Sequence, residues 1–61
     1  MIKVGDKVKS RNNPNNVIYK VLAVTGNLVD VRVYRNCYGE YEPLGQGLYN
    51  DCDIELFYKV D

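Results

Sequence analysis

Apolar side chains recur at every second position along this chain, and no helix-length stretch carries the three-and-four spacing of an amphipathic helix. Val4-Gly5-Asp6 reads as a turn into a short strand over residues 7–10, with Val8 inward and Lys7 and Lys9 outward. The polar segment 11–16, four asparagines around Pro14, favours a loop: Asn bonds its own backbone, and proline disfavours helix just before it. Residues 17–24 are the longest β-branched run, Thr25-Gly26-Asn27 interrupts it, and residues 28–35 form a second run, so the pair predicts a hairpin.

Two registers compete for that hairpin. A three-residue loop sets Ala23 opposite Val29, Val21 opposite Val31 and Tyr19 opposite Val33, giving one wholly apolar face. A two-residue Gly26-Asn27 turn would instead pair Val21 with Arg32, so the first register is preferred. It leaves Ile18 and Leu22 on the outer face, which calls for a bulge near Leu22-Ala23 that turns Val24 inward, or for a covered outer face.

Residues 36–39 form a second turn cluster, followed by a short strand Glu40-Tyr41-Glu42 with Tyr41 inward and both carboxylates outward. Pro43 ends that strand or marks an edge, residues 45–47 read as a flexible loop, residues 50–53 as a single helical turn, and residues 54–60 as the last strand. Five short strands at close intervals predict one all-β domain over residues 1–61, a small barrel or strongly bent sheet. Its expected core is Val8, Tyr19, Val21, Val24, Val29, Val31, Val33, Ile54 and Leu56.

The opening Gly5-Asp6-x-Val8, the Pro14 loop, the spaced Tyr19, Val21 and Val24, the strand Val29-Asp30-Val31-Arg32-Val33-Tyr34 and the closing Asp53-Ile54-Glu55-Leu56 together resemble SH3-like small barrels. The nearest are the bacterial YodC-type proteins, and more distantly KOW and Tudor modules. The resemblance implies an SH3-like barrel and a binding module with no chemistry of its own, since function resides in sites grafted on folds. KOW-like barrels bind RNA, and Tudor-type barrels cage cations with aromatic rings.

Composition narrows the function. With 61 residues only about 60% of the unfolded surface can be buried, so a single small core must suffice. There is no histidine, one serine and one threonine, so no triad can activate a nucleophile, and the chain is read as non-enzymatic. Two cysteines, Cys37 and Cys52, are too few for a disulfide framework and lack companion soft ligands; reduced thiols and no zinc are expected. Asp51-x-Asp53-x-Glu55 lacks the glycine of a calcium loop, with Leu56 in its place, and reads as a solvated acidic face. No phosphate-binding loop is present and no cofactor is expected. The absence of a signal-type opening and of any run long enough to span a bilayer points to a cytoplasmic protein with no membrane partner.

Charge and tyrosine distribution supply two candidate surfaces. The net charge is zero, yet residues 1–35 carry seven cations against Asp6 and Asp30, and residues 36–61 carry Lys59 against six carboxylates. Halves that neutralise each other across one sheet are the plain expectation. Five of six tyrosines fall after residue 33, and amphipathic rings are typical of contact surfaces; Tyr19 and Tyr41 are assigned to the core. The leading reading is therefore a protein partner, or self-association, at Tyr38, Leu48 and Tyr49 beside acidic loops. The alternative is a nucleic acid held by Lys7, Lys9, Arg11, Lys20, Arg32 and Arg35. In the preferred register Lys20 and Arg32 lie opposite each other, which calls for an anion: Asp30 with a carboxylate from the second half, or an external phosphate.

Overall fold

The computed structural model describes residues 1–12 and 17–60; the Pro14 segment expected as a loop lies outside them. The fold is all-β: β1 (Lys7–Ser10), β2 (Val17–Thr25), β3 (Leu28–Cys37), β4 (Glu40–Asp53) and β5 (Phe57–Val60), with one 3₁₀ turn, Ile54–Leu56, before the last strand. All pairings are antiparallel in the order β4-β3-β2-β1-β5, which leaves β4 and β5 as the edges of an open ladder.

The hairpin of β2 and β3 corrects the preferred register at its tip, where Ala23 faces Asp30 rather than Val29, and keeps it at the root. Its tip is a two-residue turn with Thr25 paired to Leu28 and Val24 to Val29, and Gly26 takes φ +60° at the first central position, where a type II′ turn needs it. A bulge between Val21 and Ala23 absorbs one residue, so the root keeps Val21 opposite Val31 and Tyr19 opposite Val33. The second hairpin turns through Tyr38 and Gly39, both at positive φ, as a type I′ turn requires, with Asn36 Oδ1 accepting from the Gly39 amide at 3.0 Å.

Three expectations in the second half are corrected. Strand β4 runs straight through Pro43 and the glycine segment, because an edge strand tolerates a missing N–H and its ladder with β3 is interrupted between Pro43 and Leu48. The helical turn falls at Ile54–Leu56 rather than 50–53, capped by Asp53, whose Oδ1 accepts from the Glu55 amide at 3.0 Å. That turn resets the alternation, so Phe57 rather than Leu56 enters the core; Leu56 is 41% exposed.

Val8, Tyr19, Val21, Val29, Val31, Val33 and Phe57 form the core, with Val24 and Ile54 packed at its margin. Tyr19 meets Phe57 edge-on, ring centroids 5.2 Å apart, which joins β2 to β5 through their side chains as β1 joins them through its backbone. Among the described residues no helix is long and apolar enough to cross a membrane.

Candidate functional site

With Val8, Tyr19, Val21, Val31 and Val33 committed to the core, strand alternation places Lys7, Lys9, Ile18, Lys20, Arg32 and Tyr34 on the opposite face. Register then sorts that face into rows. Lys7 pairs with Lys20, and Lys20 with Arg32, so three cations stand side by side across β1, β2 and β3. Val60 opposite Lys7 and Leu48 opposite Arg32 extend this row to all five strands. The neighbouring row holds one cation among rings and aliphatic groups: Tyr58 opposite Lys9 on one side, and Ile18, Tyr34 and Pro43 in succession on the other.

Between the rows lies a groove of about 510 Å³ whose lining includes Lys7, Lys9, Ile18, Lys20, Tyr34 and Tyr41. The stems and rings around it bury Ile18, although that residue is turned away from the core. Tyr41, expected in the core, pairs with Asn36 and so shares the face of Tyr34; it lines the groove and is 46% exposed. It misses the core because this register turns it to the face opposite Val31 and Val33.

The cation row makes no ion pair among the described residues. Among the described residues the one ion pair is Lys59 Nζ to Asp6 Oδ2 at 3.8 Å, so the acidic half does not neutralise the basic half by contact. Asp30, the carboxylate nearest Arg32 along β3, accepts instead from the Asp51 amide at 2.9 Å. Glu42 pairs with Arg35 and Glu40 with Cys37, positions whose alternation matches Val33, so both carboxylates fall on the other side of the sheet. Arg32 Nε is buried without a hydrogen-bond partner among the described residues, which costs free energy.

The other basic residues divide. Arg11 extends the cationic side of β1: its guanidinium lies 5.6 Å from the Tyr58 ring centroid and its Nε donates to the Glu55 carbonyl at 3.1 Å. Arg35 is not brought to this face, since it shares the alternation of Val33.

Tyr38, Leu48 and Tyr49 are all exposed, at 103%, 52% and 53%, but they do not form one patch. Leu48 pairs with Arg32 and Tyr49 with Val31, so these neighbours point to opposite sides of β4, and Tyr38 sits at the tip of the β3–β4 hairpin.

The acidic segment is no ladder of carboxylates: Asp51 has φ +55°, Asp53 caps the 3₁₀ turn and Glu55 lies within it. Among the described residues no cluster of three potential ligands could hold a metal ion. The Cys52 thiol is free and half-buried; burial raises its pKa above the ordinary value, and the carboxylates of Asp30 and Asp51 add to the rise. Sequence reasoning found the individual cations and their Lys20–Arg32 contact, but missed Tyr34, Tyr41 and Tyr58 as companions of the row. Comparison with protein-family models, curated proteins and solved structures returned no match, so the reading of this face rests on its own geometry.

Proposed function

We propose that the chain is a non-enzymatic binding module that holds a nucleic acid on the face of the Lys7–Lys20–Arg32 row. The observation that carries this reading is the row itself: three directly adjacent cations with no carboxylate in ion-pair contact among the described residues. Like charges opposite one another on a ladder are destabilising, and a phosphate backbone is the external anion whose repeating charge suits a row. Glu40 and Glu42 fall on the other side of the sheet, so the sequence pI of 6.1 does not describe this face alone, where Asp30 is the carboxylate two residues from Arg32 along β3. The meander of β1 to β4 with β5 returning beside β1 supports the SH3-like reading drawn from the sequence motifs.

Titration with mixed RNA and DNA oligonucleotides at low salt tests the proposal. Binding that weakens steeply with salt and is abolished by the Lys7→Glu, Lys20→Glu double substitution is expected. No binding at low salt, where phosphate attraction is strongest, refutes it.

A second reading, contact with a protein partner, is favoured by the open outer edge of β4. That strand carries Glu40, Glu42, Asp51 and Asp53 with no cation, and displays Tyr49 beyond the core. A partner captured on this edge should be lost on Tyr38→Ser combined with Tyr49→Ser. An unchanged set of captured proteins excludes the reading.

A further inference from the structure

Resting on the nucleic-acid reading, we infer that the ligand is a single strand that crosses the β-strands, its phosphates on the Lys7–Lys20–Arg32 row and its bases against the rings of Tyr34 and Tyr41 in the groove. The sheet supplies two kinds of contact side by side. Neighbouring strands lie about 4.8 Å apart, so the three cations span roughly 10 Å across the sheet. Tyr34 is two residues beyond Arg32 along β3, about 7 Å away, in a row it shares with Ile18 and Lys9, and Tyr41, opposite Asn36, stands one such interval further on. A charge line beside a ring line matches one exposed chain of phosphates with unstacked bases to one side.

A duplex offers only half of that match. It could set phosphates against the lysines, but its bases are stacked inside and cannot reach Tyr34 and Tyr41 in the groove. The groove holds rings, an aliphatic side chain and ammonium groups, and the Asn36 side-chain oxygen beside it is already engaged by the Gly39 amide. Faces made of rings and cations accept any base, since every base has a π face, so binding should be tolerant of sequence.

The test uses a fluorescein-labelled twelve-residue oligouridylate, a mixed-sequence single strand of the same length and the corresponding duplex, each titrated with the full chain at several salt concentrations. Both single strands should bind alike and more than about tenfold tighter than the duplex, given the size of base–aromatic stacking. Three neutralised phosphates predict a log–log salt slope near −2 for the single strands. Tyr34→Leu should weaken the single strands about tenfold and leave that slope unchanged, whereas Lys20→Gln should reduce its magnitude by about 0.7. Tyr34→Phe keeps the ring and the fold and should bind as the parent does; Tyr41→Leu, at an exposed position of the groove, provides the same loss as Tyr34→Leu should the latter fail to fold. If the duplex binds as tightly as the single strands, or if the Leu variants keep full single-strand affinity while Lys20→Gln weakens it, the inference falls and the face is a simple phosphate-binding surface. If none of the three probes binds at low salt, the nucleic-acid reading falls with it.

Discussion

Reversing the charge of Lys20 should make this protein more stable. Lys20 is exposed on β2 and lies directly opposite Lys7 on one side and Arg32 on the other. Two unit charges at 5–7 Å in water interact by about 0.6–0.8 kcal/mol, and long stems that splay apart reduce this to about 0.4 per contact. Lys20→Glu converts two repulsions into two attractions, a gain of about 1.5 kcal/mol, which for a domain this small raises Tm by about 5–10 °C. Lys20→Gln removes the repulsions alone and should gain about half as much. The assay is urea unfolding followed by circular dichroism, at low salt and again at about 0.5 M, where screening should erase most of the difference. A Lys20→Glu protein less stable than the parent at low salt, or a gain indifferent to salt, would refute the reasoning. In either case the row would not be electrostatically strained, and its need for an external anion would lose its energetic basis. The expected pairing of higher stability with lost nucleic-acid affinity is the trade seen when a site is kept at the expense of the fold.

Other outcomes follow from the core, the thiol and the cap. Val31 is fully buried between Val21 and Tyr49, so Val31→Ala removes two methyl groups at about 0.8 kcal/mol each and leaves a cavity; urea unfolding should show a loss of about 2 kcal/mol or more. Because the fold favours the protonated Cys52 thiol, its contribution to stability is complete below the unfolded thiol's pKa and is lost as pH rises through the raised folded value. Alkylation of Cys52 near pH 8 should accordingly be slower in the folded chain than in urea, and Asp30→Asn should speed it by removing one of the charges that raise the pKa. Asp53→Ala deletes the acceptor for the Glu55 amide and should cost about 1 kcal/mol in thermal unfolding, with little effect on nucleic-acid binding.

The parts of the fold legible in the sequence are those where side-chain chemistry decides the backbone. The valines of β2 and β3 admit few registers that bury them together, which identified Val21 opposite Val31 and the crowding of Lys20 with Arg32, and offered the bulge near Leu22 as one of two ways to treat the outer face. The second half resisted for a physical reason. Pro43 and the glycines from 45 to 47 are turn residues by propensity, yet an edge strand has one side free of ladder constraints and carries them as irregularities. The parity error at Leu56 and Phe57 came from the 3₁₀ turn, which shifts the alternation without an apolar signal of its own. The candidate face needed both hairpins and the pairing of β1 with β2 and β5. Lys7 joins Lys20, and Tyr58 joins Lys9, only through contacts distant in sequence, so their companionship was not readable from spacing.

The bulge at Leu22 has an odd relation to the pairs around it. Val21 opposite Val31, Ala23 opposite Asp30 and Val24 opposite Val29 would all survive if Leu22 were deleted, with each side chain kept on its present side. The extra residue therefore sets curvature rather than pairing. A chain shortened by that one residue should still fold with the same neighbours, but with a flatter ribbon beneath Lys20 and the groove beside it. Chain length at a single position thus acts as a geometric dial on this face, adjustable by insertion or deletion without altering any residue that lines it.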